Sequence, residues 1–220
     1  MQKQLIILAI VAISIAFSTV AAADDTTLHL EMDKAPGAET HDGFFLRMSA
    51  GLGGSNITAE PENGGDREIS GAGGSFELSI GGALTENVIL HGTLAGAGIG
   101  EPNFHGSGDA FQGEYDDVSL GFVGIGATYY IMPANVYISS SIGASSISLE
   151  GNDQDRDREM DDNGVGLILQ VGKEWWVSDN WGIGVAAQTH LGGLQVDDAA
   201  AGEVEWGYFN YGLLFSATYN

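Results

Sequence analysis

The sequence predicts an all-β protein: an eight-stranded, antiparallel, up-and-down barrel that crosses a membrane. Three observations carry that prediction. Eight segments alternate in side-chain character with a period of two. Their connections alternate between tight turns and long polar stretches, and aromatic residues gather at the tight-turn ends.

The chain opens with MQKQLIILAIVAISIAFSTVAAA, in which Lys3 precedes an apolar run from Leu5 to Phe17 that closes on Ala21-Ala22-Ala23. This is the layout of a secretory signal, expected to span 1–23 and to leave a mature chain starting at Asp24. Residues 24–42 are acidic, contain Pro36-Gly37, and are expected to form a flexible lead; residues 43–220 are expected to form the barrel. There is no cysteine, so disulfides and thiolate chemistry are excluded. A formal charge of -23 with only seven Lys and Arg excludes a nucleic-acid partner, which needs a basic face. Glycine is frequent at 34 residues, yet hydrophobic residues reach 44%, which is too apolar for a disordered low-complexity chain.

The strands follow in order. In GFFLRMSAGLGG, from Gly43, residues Phe44, Leu46, Met48, Ala50 and Leu52 fall on one face and Phe45, Arg47, Ser49 and Gly51 on the other. SFELSIGGAL sets Phe76, Leu78 and Ile80 against Ser75, Glu77 and Ser79. Asn87–Gly100, Asp117–Met132, Asn135–Ser148 and Gly164–Val177 supply four more strands. The second of these four is blurred by Gly121, Gly124 and Gly126, so its register stays open and a bulge is expected. GIGVAAQTHLGG alternates Ile183, Val185, Ala187 and Leu191 with Gly184, Gln188 and His190. YFNYGLLFSATYN ends the chain with Phe209, Tyr211, Leu213, Phe215, Ala217 and Tyr219 on its apolar face.

Between strands, LTEN (84–87), MPAN (132–135) and VSDN (177–180) read as tight turns, whereas 55–70, 101–116, 149–163 and 194–206 read as long loops. All four prolines lie outside the expected strands, because proline has no N–H for the ladder. About ten residues at roughly 3.3 Å each, tilted near 40°, span about 25 Å, the height of an outer-membrane hydrocarbon band. The opposite faces are small and polar, as a narrow lumen requires. Phe44, Phe45, Tyr129, Tyr130, Tyr137, Trp175, Trp176, Trp181 and Tyr219 all fall at the tight-turn end, where an interfacial girdle is expected.

Taken together these residues resemble the small eight-stranded outer-membrane barrels of the OmpA transmembrane-domain and OmpX type. The likeness spans Gly43 to Asn220 and rests on the whole pattern, including segments such as GKEWWVSDNWGIGVAAQ. It implies insertion into a Gram-negative outer membrane by the barrel-assembly machinery, contact with outer-membrane lipids, periplasmic termini, and long loops at the cell surface. The chain departs from that pattern at its end, where the family usually has an aromatic and this sequence places Asn220 after Tyr219.

The stretch NDQDRDREMDDNG (152–164) sets carboxylates at alternate positions, as an EF-hand loop does. The glycine and glutamate that such a loop needs at positions six and twelve are replaced by Arg158 and Gly164. Asp153, Asp155, Asp157 and Glu159 are therefore expected in a solvated outer loop, with weak divalent-cation binding as the functional alternative. Twenty of the thirty Asp and Glu lie in or beside the four long stretches, which makes extracellular ligands the other candidate partners. On the polar face, Arg47 and Glu77 are expected at similar height on adjacent strands. A charge in a narrow lumen must be matched, so they are read as an ion pair that either plugs the interior or acts as a gate by exchange with Glu174 or His91.

His91 and His190 differ in height by about 13 Å, too far to share a zinc ion. The GAGIG and GIGA repeats lack GxGxxG spacing and a following helix, and no one Ser, His and acid are singled out as a triad. No metal centre, cofactor or enzymatic activity is expected. Envelope structure or surface interaction is the leading functional class, with a narrow ion or small-solute pore as the alternative and a lipid-modifying enzyme as a remote one.

Overall fold

The computed structural model describes residues 39–62, 65–106, 115–151, 158–159, 164–198 and 202–220. The strands are β1 (Phe44–Pro61), β2 (Arg67–Thr85), β3 (Val88–Gly100), β4 (Asn103–Gly106), β5 (Tyr115–Ile131), β6 (Val136–Gly151), β7 (Arg158–Glu159), β8 (Gly164–Trp176), β9 (Trp181–Asp198) and β10 (Gly202–Tyr219). Eight of them close in the order β1-β10-β9-β8-β6-β5-β3-β2, with β2 returning to β1, every pairing antiparallel. The two short strands add to its long-connection end, β4 on β2 and β7 on β6.

Cross-strand partners trace the barrel's stagger. From Arg47 they run through Ser79, Thr93, Gly124, Gly143, Gly166, Gly192 and Tyr208, and return to β1 at Ile57, ten residues higher. With eight strands, that stagger gives a tilt of about 40° and an interior just wide enough for side chains to fill. Part of this path is a row of four inner-wall glycines on β5, β6, β8 and β9. A Cβ at Gly166 would lie 2.7 Å from the Tyr208 hydroxyl and 3.1 Å from Phe122, so the bare wall is what admits those rings.

β5, whose register glycines obscured in the sequence, is regular from Asp117 onward with its even-numbered side chains inward; the irregularity falls at Tyr115/Asp117. Outward-facing Leu52, Ile125, Leu213 and Phe215 are 71% to 77% exposed, whereas inward Arg47, on the same strand as Leu52, is 0% exposed. A surface this apolar with an interior this polar is a soluble protein turned inside out, and it suits a barrel in hydrocarbon. On β10 the outward apolar series from Tyr219 to Phe209 covers about 25 Å at the deduced tilt.

Two expectations need correction. The strands run well past the segments read from sequence: β1 continues to Pro61, β2 begins at Arg67, and β9 and β10 extend to Asp198 and from Gly202, so much of 55–70 and 194–206 is sheet rather than loop. The period of two persists there with its sign reversed. Ile57, Ala59, Ile69, Ile99, Leu194, Val204 and Trp206 turn inward into one apolar core, while Glu60, Glu68 and Glu205 turn outward. The aromatic girdle is the second. Phe44, Tyr129, Trp175 and Trp181 face outward and exposed, but Phe45, Tyr130 and Tyr137 are inside at 0% exposure. Adjacent aromatics in a strand must point to opposite faces, so the pairs Phe44-Phe45 and Tyr129-Tyr130 each supply one ring to the membrane side and one to the lumen.

Candidate functional site

The lumen is the place where functional side chains converge, and it is layered. At the tight-turn mouth, Phe45, Ile89, Tyr130, Tyr137 and Ala186 pack together. Beneath them lies His41, 1% exposed, its ring stacked on Tyr130 at 3.6 Å and hydrogen-bonded to Asn135 Oδ1 at 2.9 Å. The segment before β1 is tied across the mouth by Glu39 N–H donating to the Asp179 carbonyl at 2.8 Å. The C-terminal Asn220 N–H donates to the neighbouring Asn180 carbonyl at 3.0 Å.

One layer further in sits the charged network. The register pairs Arg47 with Ser79 and Ser49 with Glu77, so the two charges are diagonal neighbours on the inner face of β1 and β2. Arg47 Nη2 lies 3.5 Å from Glu77 Oε1 and donates to Ser139 Oγ at 3.2 Å; its guanidinium sits 4.5 Å from the Tyr137 ring centre and 5.5 Å from that of Phe45. Glu77 accepts from Ser79 Oγ at 3.0 Å and from Gln170 and Gln188 Nε2, both at 2.8 Å. Around the ring, β6 stands four strands from β1 and β8 four strands from β2. Arg47 to Ser139 and Glu77 to Gln170 are thus two chords across the full width of the barrel at one level. Hydrogen bonds satisfy the carboxylate's remaining lone pairs, as a buried ion pair requires, whereas Arg47 Nε and Nη1 face the Tyr137 and Phe45 rings without a hydrogen-bond acceptor among the described residues.

Of the other residues singled out from sequence, His91 lies in the same layer but bonds to hydroxyls, with Nδ1 2.9 Å from Thr93 Oγ1 and Nε2 3.0 Å from Thr128 Oγ1. Glu174 is 1% exposed and accepts from Tyr130 Oη at 3.2 Å and Thr218 Oγ1 at 2.7 Å, with Arg47 outside ion-pair distance. The structure therefore brings Arg47 and Glu77 together and gives Glu174 and His91 other partners. Asp153, Asp155 and Asp157 lie outside the described residues, and Glu159 falls in β7 with its side chain undescribed. Among the described residues no group of three or more His, Asp or Glu is placed to hold a metal ion.

Sequence reasoning missed Gln170, Ser139 and the inward tyrosines. Gln170 shares strand parity with Glu174, which was the available signal, but nothing local says that it meets a residue from the opposite wall. Above the charged layer, Tyr208 Oη lies 2.8 Å from His190 Nε2, and Phe122, Ala95 and Ile168 pack together before the apolar core of the long-connection end begins.

No family model matches the chain, and no curated protein matches it. Solved structures do. Neisserial surface protein A is 15% identical, with 78% of this chain and 95% of that chain covered at a TM-score of 0.44. The outer membrane protein OprG from Pseudomonas aeruginosa is 9% identical, with coverages of 82% and 98% and a TM-score of 0.49. Ail, the attachment invasion locus protein of Yersinia pestis, is 13% identical, with 80% and 99% covered and a TM-score of 0.40. The chain itself is a closed eight-stranded antiparallel barrel with the polarity of a membrane-spanning protein.

Proposed function

We propose that this protein is a closed outer-membrane barrel that works at its outward surface, in envelope structure or surface recognition, and performs no catalytic step. One observation carries the reading: two chords of side chains, Arg47 to Ser139 and Glu77 to Gln170 and Gln188, cross the lumen at one level. The aromatic cluster below and the apolar core above reinforce it. A filled lumen leaves the outer end as the working surface, and the acidic composition of 152–164 and its neighbours makes divalent cations and extracellular ligands the candidate partners. Outer-membrane lipids contact the apolar belt, and the barrel-assembly machinery inserts the chain. Glu39 before β1 and Asn220 after β10 both bond to the tight turn at 177–180, which supports periplasmic termini and outward-facing long connections.

Single-channel recording from the protein in lipid bilayers, with and without Ca²⁺, tests this. Silence is the expected result, and reproducible open events overturn the closed-barrel reading. A narrow gated pore is the second reading. It is favoured by one feature: Arg47 Nε and Nη1 have no hydrogen-bond partner among the described residues, while a second buried carboxylate, Glu174, lies in the same lumen. In that case Arg47→Ala changes conductance; in a closed barrel it changes stability alone.

A further inference from the structure

The two lumen carboxylates are not equivalently compensated. Glu77 has the Arg47 guanidinium and three hydrogen-bond donors, whereas Glu174 has two hydroxyl donors and, among the described residues, no cation within ion-pair distance. Both are at least 96% buried. An anion taken out of water with neutral hydrogen-bond donors and only the more distant field of Arg47 is incompletely matched, and the surroundings of Glu174 are rich in oxygen.

The register shows how that oxygen is gathered. Glu174 pairs with Gly184, Gly184 with Ser216, and Ser216 with Ser49, forming one inner-face row across β8, β9, β10 and β1. Because Gly184 has no side chain, the residues on either side of it approach each other: a Cβ there would stand 2.6 Å from Ser216 Oγ and 2.8 Å from Glu174 Cγ. Ser216 Oγ is buried, its residue 7% exposed, and the hydrogen-bonding group within its reach is the Tyr137 hydroxyl. Tyr137 Oη, which faces Ser216, lies over Gly172, the next inward residue of β8 before Glu174; a Cβ at Gly172 would be 2.6 Å from it.

We propose that Glu174, Ser216 and the hydroxyls of Thr218, Tyr130 and Tyr137 form a binding site for a small monovalent cation, with sodium as its occupant. Oxygen-only donors select a hard cation. A single carboxylate selects charge +1, since a divalent ion would leave an excess positive charge buried near Arg47. The site lies one layer inside the tight-turn mouth, separate from the acidic outer segments.

The test is urea unfolding of the full protein refolded into neutral lipid vesicles, at constant pH and ionic strength, with sodium chloride exchanged for choline chloride. Sodium above its dissociation constant is expected to raise the folding equilibrium constant up to tenfold for each tenfold rise in concentration. Glu174→Gln is expected to abolish that response. Thr218→Val, which keeps the carboxylate and removes one oxygen, is expected to weaken it, so the test survives if Glu174→Gln does not fold. A response that both variants retain, or an absence of any response to sodium in the wild type, overturns the proposal. So does stability that follows pH and not cation identity, since a proton then neutralises Glu174.

Discussion

The lower and upper halves of the barrel are built on the same alternation with opposite sign. In the lower half, leucine, isoleucine and phenylalanine face outward, and arginine, glutamate, glutamine and histidine face in. In the upper half, Ile57, Ile69, Ile99 and Trp206 face in, and Glu60, Glu68 and Glu205 face out. The backbone is continuous across the change, so what differs is the solvent: hydrocarbon around one half and water around the other. The upper half, roughly 15 Å tall, is a soluble β-barrel core standing on a transmembrane one.

The comparison predicts different stabilising terms, and the charged layer should give the largest effect. Glu77→Ala leaves the Arg47 guanidinium buried without its anion, which should cost about 3–5 kcal/mol in urea unfolding from lipid vesicles. Replacing both partners by apolar residues of similar volume, Arg47→Met with Glu77→Leu, should recover much of that loss, because no uncompensated charge remains. A Glu77→Ala cost near zero would mean that the lower lumen is wet enough to solvate Arg47, and the contrast with a dry upper core would narrow.

A second pair of substitutions compares the halves directly. Ile57→Ala removes a fully buried side chain from the upper core and should cost about 2–5 kcal/mol, since the cavity collapses only in part. Ser49→Ala, buried in the lower lumen with a hydroxyl that has no partner, should change stability by less than about 1 kcal/mol, or increase it. Equal costs measured by the same unfolding would show that packing dominates both halves.

How much could be read in advance follows from the same inversion. The lower strands were legible because Phe76, Leu78 and Ile80, or Leu213 and Phe215, advertise a lipid face by alternating with small polar residues. The upper strands keep the period, but their outward face is polar, and Ile57 between Asn56 and Thr58 marks no lipid-facing side. Adjacent aromatics such as Tyr129-Tyr130 were placed at the correct end of the barrel, although parity sends one of each pair inward. The pairing of Arg47 with Glu77 concerns neighbouring strands joined by one connection, so reflection about that connection approximates it. Contacts from Glu77 to Gln170 and from Arg47 to Ser139 concern opposite walls. Their heights depend on the ten-residue stagger accumulated around the ring, a closure property that no local window contains.

The smallest effect lies on the outer face of the upper half. Glu60 and Glu205 are directly opposed on β1 and β10, both exposed, and like charges so placed repel. Gln195 offsets part of this by donating from Nε2 to Glu203 at 3.0 Å and to Glu205 at 3.4 Å. Glu205→Lys should convert the repulsion into attraction and stabilise the barrel by about 0.2–1 kcal/mol at low salt. Because the pair is in water, a rise to 1 M salt shortens the screening length to about 3 Å and should erase most of the gain. The same residue introduced in the lower half, as Leu213→Lys, should instead cost about 2–4 kcal/mol near the membrane midplane. That cost should be insensitive to salt, because hydrocarbon admits no screening ions. Salt dependence, more than the sign of either change, therefore locates the boundary between the two halves, and a salt-insensitive Glu205→Lys would place the upper half out of contact with water.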